Sequence, residues 1–163
     1  MEKIRPVNPI SDASAIADIY RWYVTDTTIS FEVEPLSAEA MRCRIESLFP
    51  DFPYFVWEDN GRILGYCYAH PWKERSAYNP TLETTIYLAP EAQGRGIGTR
   101  LMQKLIEECR RRGYLSLIAC VTADNEPSCV FHRSLGFHQV SLFRRVGRKF
   151  GRLLDVADFQ LLL

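Results

Sequence analysis

At 163 residues, 47% apolar and 25% charged, the chain is long enough for one domain, residues 1–163, with a sizeable core. Lys plus Arg equals Asp plus Glu at 20 each, and this zero formal net charge argues against a nucleic-acid or membrane-surface partner. No apolar run approaches the roughly 18 residues of a spanning helix, Met1 to Arg5 carry no apolar signal segment, and the odd count of five cysteines reads as reduced thiols of a protein expected to be cytoplasmic.

Ile4 to Val7 reads as a short first strand. Ser11-Asp12 is expected to cap a helix in which Ile16, Ile19, Tyr20 and Tyr23 share one face. A polar loop follows from Thr25 to Pro35, and Ser37 caps a second helix with Met41, Ile45, Leu48 and Phe49 as its stripe; Pro50 and Pro53 end it. Tyr54 to Glu58 and Ile63 to His70 read as strands joined by a tight turn at Asn60-Gly61, residues that accept positive φ. After a loop from Pro71 to Pro80 comes a strand, Leu82 to Leu88, and then a glycine-rich turn, Gln93-Gly94-Arg95-Gly96-Ile97-Gly98. Ile97, Leu101, Leu105 and Cys109 recur every four residues, which predicts a helix from Thr99 to Arg112 with one buried face, ended by Gly113.

Leu115 to Ala123 is a nearly continuous apolar strand of the kind covered on both faces. Asn125-Glu126-Pro127-Ser128 opens another helix, and Gly136 stops it. Phe137 to Leu163 reads as two strands around a basic loop, Gly147 to Arg152. The predicted order is β-α-α-β-β-β-α-β-α-β-β, an α/β fold with a mixed central sheet flanked by helices. Five cysteines without a Cys-x-x-Cys pair, and three histidines without ligand spacing, predict reduced thiols and no metal.

A glycine-rich turn between strand and helix exposes backbone N–H groups at the positive end of a helix dipole, a setting for a phosphate. A dinucleotide fingerprint would need glycine where Thr99 stands, and a nucleoside-triphosphate loop would need a lysine that is absent. The alternative without a ligand is a turn that merely packs tightly.

Gln93-x-x-Gly96-x-Gly98 resembles the coenzyme A signature of the GNAT superfamily of N-acetyltransferases, and Asn125 to Phe137 resembles that superfamily's second cofactor segment. Phe31-Glu32-Val33-Glu34-Pro35, Pro71 to Tyr78, Leu82 to Leu88, Lys149, Gly151 and Asp155-Val156 are similar to the phosphinothricin acetyltransferase family, so the resemblance spans Ile4 to Gln160. It implies a GNAT fold, acetyl-CoA as co-substrate, a small-molecule amine as acceptor (an amino acid, phosphinothricin or methionine sulfoximine) and a homodimer. The apolar C-terminal strand offers an edge for that pairing. Other acceptors remain open: a polyamine, an aminoglycoside or a protein N-terminus. So does a non-catalytic acyl-CoA-binding module.

The resemblance implies Glu83 as the general base and His132 as the group that protonates the leaving thiolate. It implies cofactor contacts from Ile86, Tyr87 and Leu88 on the strand. Gln93, Gly94, Arg95, Gly96, Ile97, Gly98 and Thr99 supply the turn, and Asn125 and Ser128 stand below the thioester arm. Acetyl transfer needs a deprotonated amine, a donor for the oxyanion and a proton for sulfur, so these residue types suit the chemistry. Leu88 N–H is the expected oxyanion donor. For the acceptor, Lys73, Arg75 and Lys149 supply cations, Phe31 and Tyr78 supply walls, and Glu34 completes the set. The tail departs from the family: Arg148 follows Gly147, and Leu153-Leu154 precede Asp155, which bears on substrate identity.

Overall fold

The computed structural model describes residues 1–163. The chain runs β1 (Glu2–Pro6), α1 (Pro9–Asp26), α2 (Ala38–Glu46), β2 (Tyr54–Asp59), β3 (Arg62–Pro71), β4 (Thr81–Leu88), α3 (Ile97–Arg111), β5 (Ser116–Thr122), α4 (Glu126–Ser134), β6 (His138–Lys149) and β7 (Arg152–Leu162). This is the predicted order. The seven strands form one sheet in the order β1-β2-β3-β4-β5-β7-β6, antiparallel except for the central β4–β5 pair.

Local chemistry explains the start and stop of most elements. Asn60 and Gly61 take the positive φ values that a two-residue hairpin requires. Ser37 caps α2 by accepting from the Ala40 N–H. The α1 cap differs from expectation: Asn8 accepts from the N–H groups of Ile10 and Ser11, and Pro9 takes the first helical position. Asp12 is instead buried, with a bidentate ion pair to Arg5 at 2.7 and 2.9 Å and the Asn8 N–H at 2.7 Å. A carboxylate on an already satisfied helix start was free to recruit the first strand. The basic loop expected at Gly147 to Arg152 contracts to a two-residue turn, Phe150-Gly151, both at positive φ. Gly147 to Lys149 therefore lie in β6.

Each sheet face has its own cover. Tyr66, Tyr68 and His70 on β3 share a face with Tyr87, Thr85 and Glu83 on β4. Tyr20 and Tyr23 of α1 pack on Tyr87 from that side. The opposite face carries Leu82, Thr84, Ile86 and Leu88, with Leu117 and Ala119 of β5. It is covered by α3, whose Ile97, Leu101, Leu105 and Cys109 are all buried, and by α4.

The central pair positions the site. Parallel pairing of β4 with β5 ends at Thr84–Ala119, yet β4 continues to Leu88 and β5 to Thr122. The two strands diverge there, leaving a slot through the middle of the sheet. The C-terminal strand β7 lies between β5 and β6, so it is not the expected edge; β6 is.

Candidate active site

A cleft of about 320 Å³ occupies the slot between the diverging strands. Its walls come from both faces of the sheet. Glu83, Thr85, Tyr87, Tyr20 and Tyr68 stand on the α1 side, and Asn125, Ser128 and His132 stand on the α3–α4 side. Phe31 and Ser30 of the loop after α1 close one end. The cleft thus joins two faces, and two reagents can meet there from opposite directions.

Glu83 is the one carboxylate in the cleft wall, and no Lys or Arg joins it. Burial raises its proton affinity; the facing Asp158 adds to the rise, and His70 opposes it. His132 is 5% exposed and stacks on Phe159, with Phe131 and Phe137 edge-on. Its Nδ1 lies 2.8 Å from the Ser128 carbonyl one helical turn back. A carbonyl only accepts, so Nδ1 carries the proton and Nε2 carries the lone pair. Burial pushes the imidazole below its ordinary pKa. Asn125 spends Oδ1 on capping α4 through the Ser128 N–H.

The glycine turn presents six consecutive N–H groups, Gly94 to Thr99, none of which meets a protein acceptor. Gly94 and Gly96 hold φ near +75°, and Gly96 caps α3 with no side chain. Gly98 packs beside Leu88 and Phe131, where α3 meets β4 and α4. Of the nearby arginines, Arg95 pairs with Glu2 at 2.9 Å and Arg100 lies over the Trp57 ring.

Along the open edge of β4 the backbone is polarised. Ala89 N–H bonds Leu64 C=O, so odd-numbered β4 residues point their amides at β3. Ile86 and Leu88 present theirs toward the slot. Tyr23, which the helical pattern marked only as core, also reaches the β4 edge: its hydroxyl donates to Leu88 C=O at 2.6 Å and faces Leu88 N–H at 3.3 Å. The Gln93 amide donates to the same hydroxyl at 3.2 Å. Leu88 N–H, expected to meet an oxyanion, thus already has a partner, and Gln93 braces the turn from below.

The acceptor residues named from sequence divide. Phe31 lines the cleft and fits against Gly147, where a Cβ would lie only 2.3 Å from the ring. Lys149 is 3% exposed and donates to the Ser30 and Tyr23 carbonyls at 2.6 and 3.4 Å, so it ties β6 to the loop after α1 and stands outside the cleft wall. Lys73 lies over Trp72 and Tyr78, Arg75 is exposed without an ion pair, and Glu34 is exposed; none of these lines the cleft.

The Acetyltransferase (GNAT) family profile matches residues 16–137. The chain belongs to the GNAT acetyltransferase family. It is an N-acetyltransferase, and acetyl-CoA is its co-substrate. It is 40% identical over 151 residues to the phosphinothricin N-acetyltransferase of Alcaligenes faecalis, covering 91% of this chain and 77% of that one. It is 32% identical over 154 residues to the L-methionine sulfoximine/L-methionine sulfone acetyltransferase of Salmonella typhimurium, covering 94% and 90%. The crystal structure of a phosphinothricin acetyltransferase from Sinorhizobium meliloti in complex with acetyl-CoA superposes with a TM-score of 0.95 at 34% identity, covering 99% of this chain and 88% of that one. The free amides of the turn and the slot beside β4 fit such a ligand, a pyrophosphate on the helix N-terminus and an amide-bearing arm along the strand. No cluster of three His, Cys, Asp or Glu side chains could hold a metal. No helix is long and apolar enough to cross a membrane.

Proposed function

We propose that the enzyme acetylates the α-amino group of a small amino acid or analogue of the phosphinothricin or methionine sulfoximine type. The observation that carries this reading is a single cleft with Glu83 on one face of the sheet and the α4 residues on the other. The names of the relatives support the substrate class. Acetyl-CoA supplies the activated acetyl group, with Gly94 to Thr99 holding its pyrophosphate and the β4 edge, Ile86 to Leu88, holding its arm. Asn125 and Ser128 meet it from α4. Arg95 joins the turn as a neighbouring charge.

Glu83 takes a proton from the acceptor's ammonium group. Its raised proton affinity suits that task, since a base closer to the working pH transfers protons more efficiently. His132 enters with a bare Nε2, so it must first accept a proton and then pass it on to sulfur; it is a relay rather than a stored acid. Ile86 N–H, on the slot side of β4, replaces Leu88 N–H as the backbone donor for the developing oxyanion. Phe31 walls the acceptor. Lys73, Arg75 and Tyr78, like Lys149 and Glu34, stand outside the cleft wall, so Lys73 and Arg75 reach the acceptor carboxylate only if the loop after β3 folds over the cleft.

One observation favours a second reading. A cleft walled by one carboxylate and no cation also suits a polyamine. A thiol-release assay with acetyl-CoA across phosphinothricin, methionine sulfoximine, other amino acids and polyamines separates the two; turnover of polyamines alone overturns the amino-acid reading. Glu83→Gln should lower kcat by about 10²-fold or more while acetyl-CoA binding is retained, and full turnover in that variant would remove Glu83 as the base. We also propose a homodimer with β6 at its interface.

A further inference from the structure

Acetylating an ammonium group releases one net proton per turnover: the ammonium loses two, and the departing sulfur takes one. A base covered by the bound acceptor must pass that proton outward before the next cycle. Glu83 is such a base on the reading above, on which this inference rests. Its cleft-side surroundings offer no second basic group on the same face, since Tyr20, Tyr68, Thr85 and Tyr87 are hydroxyl groups.

We propose that His70 is the outlet for the proton that Glu83 takes from the amine. His70 is the direct cross-strand partner of Glu83 in the β3–β4 ladder, on the same sheet face. Its Nε2 lies 3.9 Å from Glu83 Oε1. Its Nδ1 lies 3.0 Å from the Pro71 carbonyl, which can only accept. The proton of the neutral ring is therefore on Nδ1, and the lone pair on Nε2 is turned to the carboxylate. A carboxylate and a lone pair do not bond each other, and at 3.9 Å an added proton crosses between them through one water or after a small side-chain rotation.

The surroundings single out this nitrogen. The other groups facing Glu83 are Asp158 of β7, a second carboxylate, and Cys120 of β5, whose thiol burial pushes up to about 12. The Tyr68 ring of β3 lies tilted beside His70, and the Glu32–Arg44 pair acts on Tyr68 from the α2 side. None of these offers a free basic nitrogen. Glu83 and His70 are exposed alike, at 28% and 29%, but only Glu83 lines the cleft, so a bound acceptor covers Glu83 and leaves His70 open to solvent. His70 opens a path from Glu83 to water that stays clear when the cleft is occupied.

The steps balance. An N–H bond of the ammonium breaks as O–H forms on Glu83. That O–H breaks as N–H forms on His70 Nε2, regenerating the carboxylate. The imidazolium then loses its proton to water. His70 acts through Glu83 and touches neither reagent.

The test uses His70→Gln, with His70→Ala as a second variant, beside Glu83→Gln. Loss of the outlet should lower kcat about tenfold, at the weak end of acid–base contributions, with acceptor KM unchanged. Added imidazole should restore the rate of the His70 variants in proportion to its concentration and leave the wild type unaffected. The acid limb of kcat/KM should move to higher pH, because His70 holds down the proton affinity of Glu83. An unchanged profile without imidazole rescue overturns the proposal. So does a limb that moves to higher pH with no rescue by imidazole, which would mean that His70 acts only as a charge. If Glu83→Gln keeps full turnover, the base assignment itself fails. If Glu83→Gln is crippled while both His70 variants match the wild type, only the outlet fails.

Discussion

His132, the proposed proton relay, also bears on stability. Its ring is enclosed by Phe131, Phe137 and Phe159 and tied to the Ser128 carbonyl, and burial keeps it neutral below its ordinary pKa of 6.5. A histidine whose folded pKa is depressed favours the native state above the unfolded pKa. That advantage is lost as pH falls from 6.5 toward the folded value, because the unfolded chain then binds the extra proton. His132→Phe should lower Tm at neutral pH, and the gap to wild type should be constant above about pH 7.5 and narrow below 6.5. A gap that stays flat over the whole range in thermal melts would contradict the burial argument. At this scale the sequence was partly legible. Glu83, Asn125, Ser128 and His132 were marked by their place in recognisable segments, and they meet in one cleft. Tyr23 and His70 were not marked, because a tyrosine on an apolar helix stripe and a histidine ending a strand carry no signal until register brings them to Leu88 and Glu83.

The hairpin of β6 and β7 shows what periodicity can and cannot say about an element. The repeat at Ile97, Leu101, Leu105 and Cys109 fixed the buried face of α3, since helical spacing is set within the element. The span from Gly147 to Arg152 looked like a loop because it is basic and glycine-flanked. Phe150 and Gly151 nevertheless turn the chain in two residues, and Lys149 is drawn into the sheet. There its ammonium reaches the Ser30 carbonyl at 2.6 Å, fastening the Phe31 loop to the hairpin. Lys149→Met should leave that carbonyl without its donor and cost about 1–3 kcal/mol of stability in denaturant unfolding. Because Ser30 and Phe31 wall the cleft, the same variant should raise acceptor KM and leave the KM for acetyl-CoA near wild type. An unchanged acceptor KM would mean that the loop holds its place without Lys149.

Sheet order belongs to the whole molecule, and it decides which surface is left for a second copy. The C-terminal strand was expected to be the edge because it is apolar and last. Its apolar residues are instead consumed between β5 and β6, with Ala157 and Phe159 buried. The strand left at the edge is β6, twelve residues long and broken by two register shifts. It exposes Val140, Leu142, Phe143 and Val146, the last at 59%. Open edges with apolar side chains template pairing with another chain, and bulges only blunt that tendency. The dimer proposed through β6 would remove this liability. It also reaches the active site, because the same strand carries Gly147 against Phe31 and Lys149 against Ser30. Replacing Val146 by Lys should therefore do two things: convert the protein from dimer to monomer in sedimentation velocity, and raise acceptor KM as the Phe31 wall loosens. A wild-type protein that sediments as a monomer at assay concentration would remove β6 as an interface. A monomeric Val146→Lys variant with unaltered kinetics would show instead that the hairpin holds the cleft without its partner.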